Sequence, residues 1–299
     1  MSGDQRVTPE VLEVELPQVT LSALAWGPGD GPLAVALHGF PDTAWTWRHL
    51  GPHLAGLGWR VVAPHLRGYA PSGLPRDGSF HVGAVMADAV ALHERLGGDD
   101  RAVLVGHDWG AIAGNALNGH ADSPFARAVT LAVPPMQAMA GLDLGLMARQ
   151  ARHSWYIAFN QLPYLPERAH ERLIRKLWRD WSPGYDARED LRHVLAAVSD
   201  PAHRSAPFDY YRALARPWTV PDAYRPWQAT LDAMPAHPLL YLHGADDGCL
   251  EVGYAEKAAA TLPDSAEVVV VPDAGHFLQL EQPAAVNALV AEFLGAGRG

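Results

Sequence analysis

A tight connection between a strand and a helix is predicted at Val103–Ala111, which reads VLVGHDWGA. The first residues are apolar and largely β-branched, as in a strand buried on both faces, and small apolar residues follow the turn, as in a buried helix. Gly106 and Gly110 lie two residues before and two residues after Asp108, where so sharp a turn leaves no room for larger side chains. The pattern is typical of a nucleophile elbow.

Asp108 occupies the apex of this turn, where a serine is usual. A carboxylate is already ionised at neutral pH and can displace a leaving group at a saturated carbon, which leaves an ester on the protein. The turn also directs the backbone N–H of Trp109 at the reacting centre. The elbow alone leaves one structural alternative open, in which Asp108 is an ordinary helix N-cap.

Short apolar runs and helical patterns alternate on both sides of the elbow. An edge hairpin is predicted at 11–16 and 19–26, and buried strands are predicted at 33–37, 60–63, 102–105, 128–131, 239–242 and 268–271. Helices are predicted at 43–57, 82–96, 109–119, 252–262 and 283–294. This alternation indicates an α/β fold with a mostly parallel sheet flanked by helices.

The middle of the chain interrupts the alternation. No convincing strand pattern occurs between 135 and 234, and helices are predicted at 166–181 and 187–198. We interpret 135–234 as a helical cap inserted into a core that is formed by 1–134 and 235–299.

Three further segments contribute candidate polar groups. His38-Gly39-Phe40-Pro41 follows a strand, and its turn can direct the backbone N–H of Phe40 at a developing oxyanion, beside that of Trp109. A turn that merely ends the strand is the alternative. Asp247 follows the 239–242 strand, and His276 follows the last strand. The chain order of nucleophile, acid and histidine is that of the α/β-hydrolase fold, with His276 as base and Asp247 orienting it. Asp246 is the competing acid.

Composition excludes several classes of protein. The 299 residues carry 23 basic and 33 acidic side chains, a formal charge of −10, which argues against a nucleic-acid binder and against attraction to an acidic membrane surface. Cys249 is the single cysteine, so an internal disulfide is impossible. The sequence has no apolar signal segment and no run long enough to span a membrane, and we expect a cytoplasmic protein. The 15 histidines form no metal-binding pattern, so neither a metal nor a cofactor is expected.

At these motifs the chain resembles the epoxide hydrolases of the α/β-hydrolase fold, with the haloalkane dehalogenases as near relatives. The resemblance extends from about 32 to 294 and includes the His-Gly-x-Pro loop and the elbow. The stretch 67–72, RGYAPS, is similar to the family's Arg-Gly-x-Gly-x-Ser, although Ala70 replaces a usual glycine. His65 stands where many members carry an aspartate. We interpret both departures as loop variation.

The resemblance implies two cap tyrosines that hold the ring oxygen of an epoxide. The segment 154–161, SWYIAFNQ, places Tyr156 in the first of these roles. In 208–212, FDYYR, the family tyrosine precedes an arginine, which selects Tyr211 and leaves Tyr210 as the fallback. Aromatic side chains that only pack the cap are the structural alternative.

The resemblance therefore implies an epoxide hydrolase. Its substrate would be a small, largely apolar epoxide, opened to a vicinal diol through an ester on Asp108 that a His276-activated water hydrolyses. The first alternative is a haloalkane dehalogenase, which would bind halide with Trp109 and a second donor, either an Asn where this chain has Phe40 or a cap tryptophan. The second alternative is a hydrolase-fold protein that binds a ligand without turnover. The oligomeric state stays open, with a homodimer through the cap or a sheet edge as one arrangement.

Overall fold

A computed structural model describes residues 8–141 and 143–295. Its sheet has eight strands in the order β1-β2-β4-β3-β5-β6-β7-β8. The strands are β1 (Glu10–Glu15), β2 (Thr20–Trp26), β3 (Leu33–Leu37), β4 (Arg60–Pro64), β5 (Val103–His107), β6 (Arg127–Leu131), β7 (Leu239–Gly244) and β8 (Ala266–Val271). β2 pairs antiparallel with β1 and with β4, and the remaining pairs are parallel. The mostly parallel sheet is thereby confirmed.

Helices surround the sheet. They are α1 (Leu50–Gly56), α2 (Val82–Arg95), α3 (Trp109–Asn118), α4 (Met136–Met139), α5 (Leu144–His153), α6 (Trp155–Phe159), α7 (Leu165–Trp181), α8 (Arg188–Ala197), α9 (Pro201–Arg204), α10 (Ala206–Leu214), α11 (Arg225–Gln228), α12 (Gly253–Thr261), α13 (Leu278–Glu281) and α14 (Pro283–Leu294). Short 3-10 helices occur at Ala44–Trp47, Pro217–Thr219 and Asp222–Tyr224. Among the described residues, none of the helices is both long and apolar enough to cross a membrane.

The central strands are buried on both faces because helices cover each side. Val35 and Leu37 of β3 belong to one hydrophobic cluster, and Ala34 and Ala36 of the same strand belong to another on the opposite face. Every residue of β3 and β5 is buried. Successive side chains of a strand point to opposite faces, so an unbroken apolar run fits only a strand that is covered on both sides.

One predicted helix, 43–57, is wrong as a single element. The structure has the 3-10 helix Ala44–Trp47, capped by the side chain of Thr43, and then α1. Pro52 explains the division, because proline lacks an N–H and is tolerated in the first turn of an α-helix but not in its interior. α1 begins at Leu50 and places Pro52 in that first turn.

The helices α4 to α11 lie between β6 and β7 in the chain. Side-chain contacts join this region to the rest of the molecule, and two of them reach the segment 41–48. The Trp178 indole N–H donates to the carbonyl of Pro41 at 2.8 Å, and the Arg48 guanidinium pairs with Asp190 of α8 at 2.5 Å. We propose that 135–234 is the cap, with the sequence on either side forming the core.

Candidate active site

Asp108 lies at a strained turn between β5 and α3. Its backbone has φ 52° and ψ −111°. Asp108 takes the N-cap position of α3, but its side chain makes no capping hydrogen bond, so it does not act as an ordinary cap. A Cβ on Gly106 would lie 2.2 Å from the carbonyl oxygen of Gly110, and one on Gly110 would lie 2.2 Å from that of Leu37. Gly106 is therefore required by the turn itself, and Gly110 by the close approach of β3. Backbone strain of this kind persists where the surrounding structure enforces it.

The loop after β3 contacts the Asp108 carboxylate directly. The Phe40 N–H donates to Asp108 Oδ1 at 2.6 Å. A Cβ on Gly39 would lie 2.3 Å from the same oxygen, so this close approach needs a glycine. His38 holds the loop in place: its Nδ1 donates to the carbonyl of Gly39 at 2.9 Å, and its Nε2 accepts from the Leu66 N–H at 3.0 Å. The Trp109 N–H is at the N-terminus of α3, and its contact with an oxyanion stays a prediction.

His276 lies between two carboxylates. Its Nδ1 donates to Asp247 Oδ2 at 2.9 Å, and its Nε2 is 3.7 Å from Asp108 Oδ2. The side chains of His276 and Asp247 are fully buried. Asp246, the competing acid, is exposed. The structure thus brings together Asp108, His276 and Asp247 and leaves Asp246 at the surface.

Two tyrosines of the proposed cap lie over the loop 38–41, which is the predicted oxyanion loop. Tyr156 of α6 stacks on Phe40 with the ring centroids 6.4 Å apart, and Tyr211 of α10 meets the Phe40 ring edge-on at 5.1 Å. The two tyrosine rings are 5.6 Å apart, and Tyr211 is 5.0 Å from the indole of Trp109. Both tyrosines are buried.

Tyr210, the fallback, has a different environment. Its hydroxyl donates to the backbone carbonyl of Arg67 at 3.0 Å. Its ring packs 5.5 Å from Trp109. Because its hydroxyl is engaged by the backbone, Tyr210 has a packing role in this structure.

A family model described as the alpha/beta hydrolase fold matches residues 32–283 of the chain. The chain belongs to this family. Within it, the chain is 29% identical over 282 residues to the AB hydrolase superfamily protein YfhM of Bacillus subtilis, covering 92% of the chain and 94% of the relative. It is also 29% identical over 315 residues to Epoxide hydrolase A of Mycobacterium tuberculosis, with the same coverage. The crystal structure of Epoxide Hydrolase A from Mycobacterium thermoresistibile superposes with a TM-score of 0.77 at 26% identity, covering 96% of this chain and 98% of that one.

The charges of the hydrolase site are strongly coupled. Burial alone would lower the pKa of His276, but the Asp247 and Asp108 carboxylates outweigh it and raise this pKa to about 10. Burial would raise the pKa of Asp247, but His276 outweighs it, so the pKa of this carboxyl lies below its ordinary value. At neutral pH the resting site therefore holds a protonated imidazole between two carboxylates.

The tyrosine hydroxyls stay neutral in the same surroundings. Burial, and then nearby groups that include Asp108, raise the pKa values of Tyr156 and Tyr211 well above the ordinary value. A neutral phenol is a hydrogen-bond donor. Each of the two hydroxyls can therefore donate to an oxygen that gains negative charge.

The sequence predicts that His107 stiffens its loop, but it does not predict the contacts of the Trp181 carbonyl or of Cys249. His107 Nε2 donates to the carbonyl of His276 at 2.9 Å, and the His276 N–H donates to the carbonyl of Trp181 at 3.0 Å. The Cys249 Sγ is 3.5 Å from the Tyr156 hydroxyl. Cys249 lies two residues after Asp247, and this closeness is the single feature of the sequence that could have placed Cys249 at the site. A contact of a backbone carbonyl, such as that of Trp181, does not depend on the side chain and so leaves no trace in the sequence.

One set of possible metal ligands among the described residues coincides with this site. Single ligand atoms of Asp247, Cys249 and His276 lie within 4.8 Å of one another. The hydrogen bond between His276 Nδ1 and Asp247 Oδ2 already accounts for the closeness of two of them. We therefore interpret these residues as a hydrogen-bonded group.

Proposed function

We propose that this chain is an epoxide hydrolase that opens a small, largely apolar epoxide to a vicinal diol. One observation carries the proposal: a carboxylate, Asp108, occupies the elbow, and its charge is among the influences that raise the pKa values of two neighbouring buried tyrosines, Tyr156 and Tyr211. A carboxylate suits attack at a saturated carbon, and phenols suit the ring oxygen that becomes an alkoxide. The Epoxide hydrolase A proteins of the two mycobacteria support the same reaction class.

The two oxygens of Asp108 have separate tasks in the first step. Oδ1 is held by the Phe40 N–H at 2.6 Å, and Oδ2 faces His276. Oδ2 attacks a ring carbon, and the carbon–oxygen bond of the ring breaks. Tyr156 and Tyr211 donate hydrogen bonds to the departing oxygen, and one of them transfers its proton. The products are an alkyl ester on Asp108 and a tyrosinate.

Ester formation prepares His276 for the second step. Part of the elevation of its pKa comes from the Asp108 carboxylate, and the ester carries no charge. The pKa of His276 therefore falls when the ester forms, and its proton passes through solvent to the tyrosinate. The neutral imidazole, oriented by Asp247, then takes a proton from water as that water attacks Cγ of Asp108.

The oxyanion forms on Oδ1, where the Phe40 N–H already donates. We propose the Trp109 N–H as the second donor; loss of one such donor typically costs about 100- to 1000-fold in rate. Collapse of the tetrahedral intermediate releases the diol and leaves Asp108 as carboxylate and His276 protonated, which is the resting state. No further reactant is needed for the atoms and protons to balance.

The first prediction concerns a trapped ester. In a His276→Gln variant the ester should persist, because the group that activates water is absent. We expect intact mass spectrometry of this variant, incubated with a panel of aryl and alkyl epoxides, to show a gain equal to a whole epoxide, mapping to Asp108. An Asp108→Asn/His276→Gln double variant is the matched control and should show no gain.

A haloalkane dehalogenase is the second candidate, because the indole N–H of Trp109 is buried at the site beside Tyr211 and could hold halide. The same variant decides between the two when it is incubated with haloalkanes. A gain equal to an alkyl group, with halide released and no adduct from any epoxide, would replace the present proposal. If no electrophile labels Asp108 while the wild type shows no turnover, the chain is a ligand-binding protein of this fold.

A further inference from the structure

The loop that follows Asp247 is held by the cap helix that precedes Tyr156. Gln150 of α5 contacts this loop twice: its Nε2 donates to the carbonyl of Cys249 at 2.8 Å, and its Oε1 accepts from the Glu251 N–H at 2.9 Å. His153 Nδ1 donates to the carbonyl of Gly248 at 2.7 Å. α6, which carries Tyr156, begins two residues after His153. The loop 247–251, which we call the acid loop, and the segment 150–156, which carries Tyr156, therefore form one hydrogen-bonded unit.

Cys249 joins the two halves of this unit. Its backbone N–H donates to Asp247 Oδ1 at 2.7 Å, and its Sγ lies 3.5 Å from the Tyr156 hydroxyl. Its relative exposure is 6%. The backbone of Cys249 thus contacts Asp247, the carboxylate that orients the base. The side chain of Cys249 contacts Tyr156, the tyrosine that faces the substrate.

The protonation states of the Cys249 thiol and the Tyr156 hydroxyl determine which of the two donates in the hydrogen bond between them. Burial, then the charges of Asp247 and Asp108, raise the pKa of the Cys249 thiol well above its ordinary value, so the thiol keeps its proton. Burial, and then its neighbours Cys249 and Tyr211, raise the pKa of Tyr156 well above its ordinary value, so its hydroxyl is neutral as well. A thiol is a weak donor and a weak acceptor, and a phenol is both, so the direction of their hydrogen bond can reverse.

We propose that Cys249 is a positioning residue for ring opening, whose thiol holds the Tyr156 hydroxyl while substrate binds and then donates its S–H to the tyrosinate. The proposal rests on the epoxide hydrolase function above and assigns the proton transfer to Tyr156. The ring carbon–oxygen bond breaks, the proton of Tyr156 moves to the alkoxide, and the S–H proton stays on sulfur. The later proton from His276 restores the phenol.

The contacts predict an effect on one step of the reaction. Because Asp247 is held by the backbone of Cys249, a change of the side chain leaves the orientation of His276 in place. Loss of the thiol therefore slows ester formation and spares ester hydrolysis. Loss of one hydrogen bond to the developing tyrosinate corresponds to about tenfold in the rate of ester formation.

The test measures the two steps separately in Cys249→Ala and Cys249→Ser, with styrene oxide as the epoxide. Rapid-quench mass spectrometry gives the rate at which the Asp108 ester appears and the rate at which it decays. We expect Cys249→Ala to form the ester about tenfold more slowly and to hydrolyse it at the wild-type rate, and Cys249→Ser, which retains a hydroxyl donor, to recover most of the loss. Equal slowing by Ala and Ser, or equal slowing of both steps, would assign Cys249 a packing role and overturn the proposal.

A double-variant comparison identifies the partner. The effect of Cys249→Ala should disappear in a Tyr156→Phe background and persist in a Tyr211→Phe background, because the contact is with Tyr156. The reverse pattern overturns the assignment to Tyr156.

A spectroscopic measurement does not depend on turnover. The chain has one cysteine, so the infrared S–H stretch is a single band free of other protein absorption. Replacement of Tyr156 by Phe should shift this band, and an unchanged band overturns the contact. A wild-type protein that forms no Asp108 ester with any member of the epoxide panel removes the proposed function and with it the ring-opening role, even where the band shift establishes the contact.

Discussion

The two oxygens of the Asp108 carboxylate differ in surroundings, and the pKa of His276 depends on one of them. Oδ2 faces His276 Nε2 at 3.7 Å, whereas Oδ1 is engaged by the Phe40 N–H. The same arrangement that exposes a nucleophilic oxygen also keeps the neighbouring imidazole protonated. At the scale of single residues, the proposed mechanism therefore has Asp108, as nucleophile, control when His276 is available as base.

This control is measurable by titration. Asp108→Asn removes one of the charges that raise the pKa of His276 to about 10, so the pKa of His276 should fall. The raised pKa contributes to folding stability fully below the ordinary value of 6.5, and the contribution is lost as the pH rises through about 10. Asp108→Asn should therefore weaken the pH dependence of the free energy of unfolding in this window. Imidazole NMR gives the pKa directly, with His276→Gln for assignment.

The opposite result has a clear meaning. If the imidazole of His276 titrates with the same pKa in wild type and Asp108→Asn, then Asp247 alone sets its charge. In that case the bound substrate, and not the loss of charge on Asp108, would have to cause His276 to lose its proton before ester hydrolysis.

At the scale of elements, the ion pair of Arg48 with Asp190 joins α8 to the segment after the oxyanion loop. Arg48 Nη1 is 2.5 Å from Asp190 Oδ1, and the Asp190 side chain is 1% exposed. The Tyr185 hydroxyl also donates to Asp190, at 2.9 Å. Neutralising one partner of such an ion pair leaves the charge of the other partner buried without compensation.

We expect Asp190→Asn to lower the free energy of unfolding by about 3 kcal/mol. Glu171→Gln is the matched control, because its pair with Arg175 is half-exposed on both sides and such pairs contribute about 0–1 kcal/mol. Urea unfolding of both variants and of wild type checks the difference. An Asp190→Asn loss no larger than that of the control would show that the contact adds nothing to stability.

The sequence predicted most of the elements whose patterns are local, with the helix at 43–57 as an exception, and missed contacts that depend on the placement of the cap. Gly106, Asp108 and Gly110 could be assigned to a turn because their spacing is local, although the atom that excludes a side chain at Gly110 belongs to Leu37 of β3. The helix predicted at 43–57 failed because Pro52 was not weighed against the apolar spacing. The Cys249 contact was out of reach because it needs the position of α6 relative to the acid loop, which no local pattern encodes.

At the scale of the whole molecule, one buried acid couples stability to pH. Asp42 follows the loop 38–41 and is 1% exposed. Its Oδ1 accepts from the Thr43 N–H at 2.7 Å, and a hydrogen bond with the Thr46 side chain partly offsets the effect of burial on its pKa. Burial, reinforced by the charge of Asp190, raises the pKa of Asp42 to about 7. Folding therefore favours the protonated acid, and stability falls as the pH rises from about 4 to about 7.

An Asp42→Asn variant should be the more stable protein at pH 8, by a few kcal/mol, because the amide needs no charge in the interior. At pH 4 the two proteins should differ little. Denaturant unfolding at both pH values checks this, with Asp222→Asn as the control because Asp222 is 88% exposed. A stability difference between Asp42→Asn and wild type that does not change with pH would show that folding does not raise the pKa of Asp42.

Because Cys249 carries the single thiol of the chain, its rate of chemical labelling reports transient opening of the protein around it. A labelling reagent in solvent cannot reach a sulfur beneath the cap while the protein is closed, so the rate of modification counts openings of the closed state. When reclosing is faster than the chemistry, that rate gives the free energy of opening; when it is slower, it gives the opening rate itself. The comparison can be made on the unaltered chain, in the presence and absence of a bound epoxide analogue. The difference between the two free energies of opening gives the amount by which the bound analogue stabilises the closed state of the enzyme.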